Sequence, residues 1–92
     1  MGECEVKARK GLIRAKVVVV NGRISYVSIT GDFLMSPEDV IYEVEDSLKG
    51  AEADKDAVRS ILTRVMAGAE LIGATVDDFV DAIVCAMRGE AG

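Results

Sequence analysis

The sequence predicts an α+β domain in which a three-stranded antiparallel meander is followed by three helices packed on one of its faces. Residues 3–30 alternate apolar and polar side chains with period 2, and residues 37–88 switch to helical spacing. The two patterns come in separate blocks rather than alternating, which separates α+β from α/β architecture. At 92 residues the whole chain is expected to form one domain.

The first strand is expected over residues 3–9, where Cys4, Val6 and Ala8 alternate with Glu3, Glu5, Lys7 and Arg9. Gly11 punctuates the chain. Residues 12–20 form the second strand, with Ile13, Ala15, Val17 and Val19 facing inward and Arg14 and Lys16 outward. Asn21-Gly22 is a hairpin turn, since both residues tolerate positive φ, and residues 24–30 return as the third strand. A plain two-residue loop would place Lys16 opposite Val27 and mix the faces. A bulged loop with Gly22 as the extra residue is therefore expected, setting Ala15 near Val27 and Ile13 near Ile29.

Helices follow at about 37–49, 55–67 and 76–88. Ser36-Pro37-Glu38-Asp39 has the residues of a helix start: a capping hydroxyl, a first-turn proline and acids against the dipole. Val40, Ile41, Val44 and Leu48 form its apolar stripe. Asp54 caps the second helix, which turns Ala57, Val58, Ile61, Leu62, Val65 and Met66 inward. Thr75, with Asp78 three residues later, opens the third, whose inner face is Val76, Phe79, Val80, Ile83, Val84 and Met87. These stripes read as core rather than as a cofactor site.

Composition removes whole classes of function. The chain has no histidine, so Ser-His and Cys-His nucleophile pairs and the usual zinc sets are excluded. No phosphate-binding glycine loop with its Lys-Ser/Thr ending occurs. Cys4 and Cys85 lie at opposite ends and form no metal or redox spacing; they are expected to be reduced, with Cys85 inert in the core. No apolar run is long enough to cross a membrane, the charged start lacks a signal core, and Val6 spoils a myristoylation motif. A cytoplasmic protein is expected. Net charge is −5, with +3 over residues 1–35 and −8 over residues 36–92. The acidic total argues against nucleic-acid binding, while the basic first half suits an anionic ligand or partner, or simply solvates the outer sheet face. The acidic clusters on the helices read as caps and solvated faces.

Two places depart from the plain pattern. Arg9-Lys10-Gly11 puts two cations beside a glycine at a strand junction, and Gly31-Asp32-Phe33 is a tight strand exit carrying one of only four aromatics. Glycine turns and loop-covering aromatics are ordinary structural devices, and Phe33 is read either as a lid over the core or as a contact surface.

Lys10-Gly11-Leu12-Ile13, the hairpin at Asn21-Gly22-Arg23-Ile24, Ile29-Thr30-Gly31-Asp32-Phe33, and Ser36-Pro37-Glu38-Asp39 leading to Leu48-Lys49-Gly50 together resemble the accessory C-terminal domain of lipoate–protein ligases. The likeness is specific over about residues 5–50; beyond it the helices match in pattern, including the start from Gly73 to Phe79. The family's first turn often carries Gly-Gly where this chain has Lys10-Gly11. The resemblance implies a free-standing small subunit working in a heterodimer with a catalytic subunit. That pair would convert lipoate and ATP, with Mg²⁺, to lipoyl-AMP, then transfer the lipoyl group to acceptor domains of 2-oxoacid dehydrogenase complexes or a glycine cleavage protein. It also implies that the accessory domain is needed mainly for adenylation, that it has no ligase activity alone, and that it holds no cofactor or metal itself. Lys10 is the candidate phosphate contact, and Arg9, Gly11, Gly31, Asp32 and Phe33 are interface candidates. A rival reading keeps the layout but makes the chain a sulfur-acceptor or iron–sulfur scaffold, which would require thiolates. An unrelated small interaction protein is the third.

Overall fold

The computed structural model describes residues 2–91. Its first sheet is an antiparallel meander of β1 (Gly2–Ala8), β2 (Gly11–Val20) and β3 (Arg23–Gly31), in the order β1-β2-β3. The alternation does what it predicts: Ile13, Ala15, Val17, Val27 and Ile29 are buried, while Arg14 and Lys16 point to solvent. Those two cations pair across the outer face with Glu5 and Glu3, at 2.5 and 3.4 Å. The bond to Glu5 raises the Arg14 pKa above its ordinary value.

The hairpin corrects the expected register. Val20 pairs with Arg23 across a two-residue loop in which Asn21 and Gly22 both have positive φ. The extra residue is Ser25 in β3, because Val18 faces Tyr26 while Val19 faces Ile24. Ala15 consequently lies opposite Ile29, Val17 opposite Val27 and Ile13 opposite Gly31. One clean apolar face still results, by a bulge inside the strand rather than at Gly22.

Three helices follow: α1 (Val40–Leu48), α2 (Lys55–Val65) and α3 (Val76–Ala91). Helix α3 lies across β1 and β2, α2 packs on α3, and α1 lies against α2 and β3. Phe79, Val80, Ile83 and Met87 of α3, Val58 and Leu62 of α2, and Val44 and Leu48 of α1 close a single core with no buried polar residue among those described. Asp54 caps α2 by accepting from the amides of Asp56 and Ala57. Thr75 and Asp78 exchange reciprocal side-chain bonds at the start of α3, so aspartate serves where a capping box more often has glutamate.

The start of α1 differs from expectation. Ser36 ends a short strand, the Ser36–Pro37 peptide is cis, and a turn over Pro37–Asp39 feeds a helix that begins at Val40. Asp39 holds the capping position without a side-chain bond. That strand, β4 (Leu34–Ser36), pairs antiparallel with β5 (Glu70–Ile72) from the α2–α3 connection, a ribbon with no counterpart in the sequence reading.

The free edge of β3 is closed by two devices. Gly50 and Ala51 exchange backbone bonds with Ile24, Ala53 donates to the Gly22 carbonyl, and the Glu45 carboxylate accepts from the Ile29 amide. The largest departure from the sequence reading concerns the cysteines. Cys4 and Cys85 form a disulfide with Cα atoms 5.9 Å apart, joining the first strand to the last helix. Cys85 is exposed on the flank of α3 rather than buried, and that flank passes over edge strand β1, where Cys4 faces it.

Candidate functional site

The two unusual motifs of the sequence meet at one end of the molecule. Ala8 pairs with Gly11, so Arg9 and Lys10 alone make the β1–β2 turn, and both are exposed. Among the described residues no ion pair engages Lys7, Arg9 or Lys10, in contrast to Arg14 and Lys16 just below them. The Lys10 amide donates to the Gly73 carbonyl at 3.1 Å, and a Cβ built on Gly73 would stand 3.1 Å from Lys10 Cβ. The base of the lysine is thereby fixed across the α2–α3 connection while its ammonium reaches solvent. Gly73 was not singled out by sequence reasoning as part of this place; its signal is a glycine just after a short apolar run, too common to be specific.

Gly11, Gly31 and Asp32 form a close backbone crossing. The Asp32 amide donates to the Leu12 carbonyl at 2.8 Å. A Cβ on Gly11 would come within 2.5 Å of Asp32 Cβ, and one on Gly31 within 2.1 Å of the Leu12 oxygen. Gly31 is crowded by the backbone of β2 and Gly11 by the Cβ and carbonyl of Asp32, so both glycines are structural supports of the cationic turn. Asp32 is exposed, so its carboxylate is available beside the turn.

Phe33 partly covers the core and also lines a surface groove. It is half-buried, and its ring meets Phe79 edge-on, with centroids 4.9 Å apart and planes at 87°. The exposed apolar residue is its neighbour Leu34, 66% accessible, directly opposite Ile72 in the β4–β5 ribbon. Tyr42 of α1, also 66% accessible, lines one groove together with Leu34. Leu34, Ile72 and Tyr42 were missed because each sits where pattern alone assigns a loop or a solvated helix face.

Chemically, this end presents a pair of cations on a rigid turn beside exposed apolar groups. Among the described residues no group of histidine, cysteine or acidic side chains has metal-binding proximity. The arrangement suits contact with an anion or with another protein surface.

Comparison with known proteins covers nearly the full chain. The family model for the bacterial lipoate protein ligase C-terminus matches residues 3–83. Lipoate-protein ligase A subunit 2 of Thermoplasma acidophilum is 38% identical over 79 residues, spanning 84% of this chain and 81% of that protein. Among solved structures, a chain from an archaeal lipoylation system of the same organism superposes with a TM-score of 0.82 at 34% identity. That match covers 88% of this chain and 91% of the other; the structure is described as a bi-partite lipoate protein ligase and its E2 lipoyl domain. With its sheet, its glycine crossing and its cationic turn falling inside the matched span, this chain belongs to the family of the bacterial lipoate protein ligase C-terminus.

Proposed function

We propose that this chain is the small accessory subunit of a bipartite lipoate–protein ligase and that it enables a separate catalytic subunit to activate lipoate. The observation that carries the proposal is the nearly end-to-end match to a relative named as one subunit of such a ligase. In the reaction a lipoate carboxylate oxygen attacks the α-phosphorus of ATP, and the bond to pyrophosphate breaks. The amine of an acceptor-domain lysine then attacks the lipoyl carbonyl of lipoyl-AMP, and the bond to the phosphate breaks, so that an amide forms and AMP leaves. Lipoate, ATP and Mg²⁺ belong to the complex, and the acceptor domains meet the complex rather than this chain alone.

The accessory contribution is electrostatic and steric. Negative charge grows on the leaving pyrophosphate and the α-phosphoryl oxygens, so a preorganised cation in a site closed to water lowers the barrier. Lys10 is suited to that task because its backbone is held by Gly73 and its side chain is exposed. The rival scaffold reading loses its chemical basis, since the sulfurs of Cys4 and Cys85 are bonded to each other and neither is a thiolate.

Mixing decides the proposal. The chain and the catalytic subunit are incubated separately and together with lipoate, ATP and Mg²⁺, and pyrophosphate release and lipoyl-AMP are measured. This chain alone should form none, and its addition should raise the catalytic subunit's adenylation strongly. Adenylate made by this chain alone, or no gain on mixing, overturns the proposal.

A further inference from the structure

Leu34 stands as a ridge between two grooves. On one side a groove of about 500 Å³ is lined by Phe33, Leu34, Glu38, Asp39, Ile41 and Tyr42. On the other, a groove of about 280 Å³ is lined by Leu34, Ser36, Glu38, Glu70 and Ile72. Buried Met35 contributes to both, and Glu38 edges both. Three of the large apolar side chains most open to solvent therefore gather around one ridge: Leu34 and Tyr42 at 66% and Ile72 at 45%. An apolar cluster with a charged rim is the form of a protein contact rather than of a solvated face.

The rim is bipolar. Glu38, Asp39 and Glu70 stand around the grooves, whereas Arg9 and Lys10 lie past Ile72, tied to its neighbour Gly73 by the Lys10 amide. We infer that the β4–β5 ribbon is the anchor by which this chain docks on the catalytic ligase subunit. The matching segment of that subunit carries two apolar side chains that straddle Leu34, a lysine or arginine facing Glu38, and an acid facing Arg9, which leaves Lys10 free to point at the reacting phosphates. The inference rests on the accessory-subunit reading above and specifies its contact. Opposed charges at the two ends of an apolar patch fix the orientation of whatever binds, so seating the ribbon also aims Lys10 in one direction. A second copy of this chain is the less suitable occupant. The patch amounts to three side chains, well below the roughly 20–30 residues a side of a stable interface, while a larger subunit can continue the contact onto the cationic turn.

The test uses the intact chain, its variants and the intact catalytic subunit. Leu34→Asp and Ile72→Asp change exposed positions, and unfolding curves of the free variants should coincide with wild type. Each should weaken binding to the catalytic subunit by at least about 30-fold, the scale of losing an interface anchor. Leu34→Met should bind nearly as wild type. Glu38→Lys should weaken binding at low salt, with the deficit shrinking as salt rises. If wild type binds and activates the catalytic subunit while Leu34→Asp and Ile72→Asp bind equally well, the ribbon is not the anchor. If wild type neither binds nor activates it, the accessory role itself fails. If wild type self-associates and Leu34→Asp abolishes only that, the ribbon is a contact between copies and the inference is overturned.

Discussion

Lys10 separates electrostatic help from simple docking. Replacing it with alanine removes an exposed side chain and leaves the amide bond to Gly73 in place. If its ammonium meets transition-state phosphate charge, Lys10→Ala should lower adenylation by about 10²–10³-fold, as the loss of one preorganised donor does. Affinity for the catalytic subunit should hardly change, and Lys10→Arg should recover part of the rate, since a planar fork replaces a point charge poorly. Parallel, salt-dependent losses of affinity and rate would make Lys10 a docking contact. Phe33 calls for a different measurement. Its edge-on contact with Phe79 predicts that Phe33→Ala lowers thermal stability by about 1–3 kcal/mol, less than a fully buried phenylalanine would cost, and affects association only as far as the loop loosens. The lid-or-contact choice was open in the sequence because both need an aromatic at a strand exit; the position of Phe79 supports the lid, and unchanged association of Phe33→Ala would leave it as the sole role. Arg9, Lys10 and Gly11 were visible as an anomaly, yet their proximity to Gly73 depends on a contact across more than sixty residues that no local pattern encodes.

The elements built on long periodic runs were legible, and the short ones were not. Nine or ten residues of alternation suffice to identify β2, and 3.6-spaced stripes identify α2 and α3. β4 and β5 have three residues each, too few for a period, and exist because Leu34–Ser36 and Glu70–Ile72 find each other across the fold. The bulge was inferred correctly as a need of the apolar face but misplaced, since Asn21-Gly22 closes an unbulged turn so well that the extra residue moves to Ser25. The crossing of β2 and β3 near Leu12 is sterically tight, and Gly31→Ala should cost about 1–3 kcal/mol in an urea melt, from overpacking against the Leu12 carbonyl. The Cys4–Cys85 bond was missed because its partners are 81 residues apart and look unrelated until α3 is laid over β1. The loop-entropy relation assigns such a crosslink about 3–5 kcal/mol, so a reducing agent should lower the unfolding midpoint markedly, and Cys4→Ser with Cys85→Ser should reproduce that loss and abolish the redox dependence. An unchanged midpoint under reduction would show that the sheet and helices hold these ends together without the bond.

For the whole molecule, the division of labour between the two half-reactions is the decisive observable. Transfer from preformed lipoyl-AMP to an acceptor domain by the catalytic subunit should proceed at a similar rate with or without this chain, whereas adenylation should depend on it. Equal dependence of both steps would mean that the accessory subunit builds the acyl site rather than assisting phosphate chemistry. The overall layout and the charge division were readable from order and composition, because strands precede helices and cations precede acids along the chain. The arrangement around the β1–β2 turn was not, because it is assembled from three separate stretches. The covalent joint between first strand and last helix has a mechanical side as well. With Cys4 and Cys85 bonded, residues 4–85 form a closed covalent ring. A single protease cut anywhere in the ring, for instance in the exposed Ala67–Gly68 connection, opens it without releasing a fragment, so nicked protein should run as two pieces only after reduction. A force applied between Cys4 and Cys85 would likewise run through the sulfur bridge and leave the β1–β2 turn unloaded.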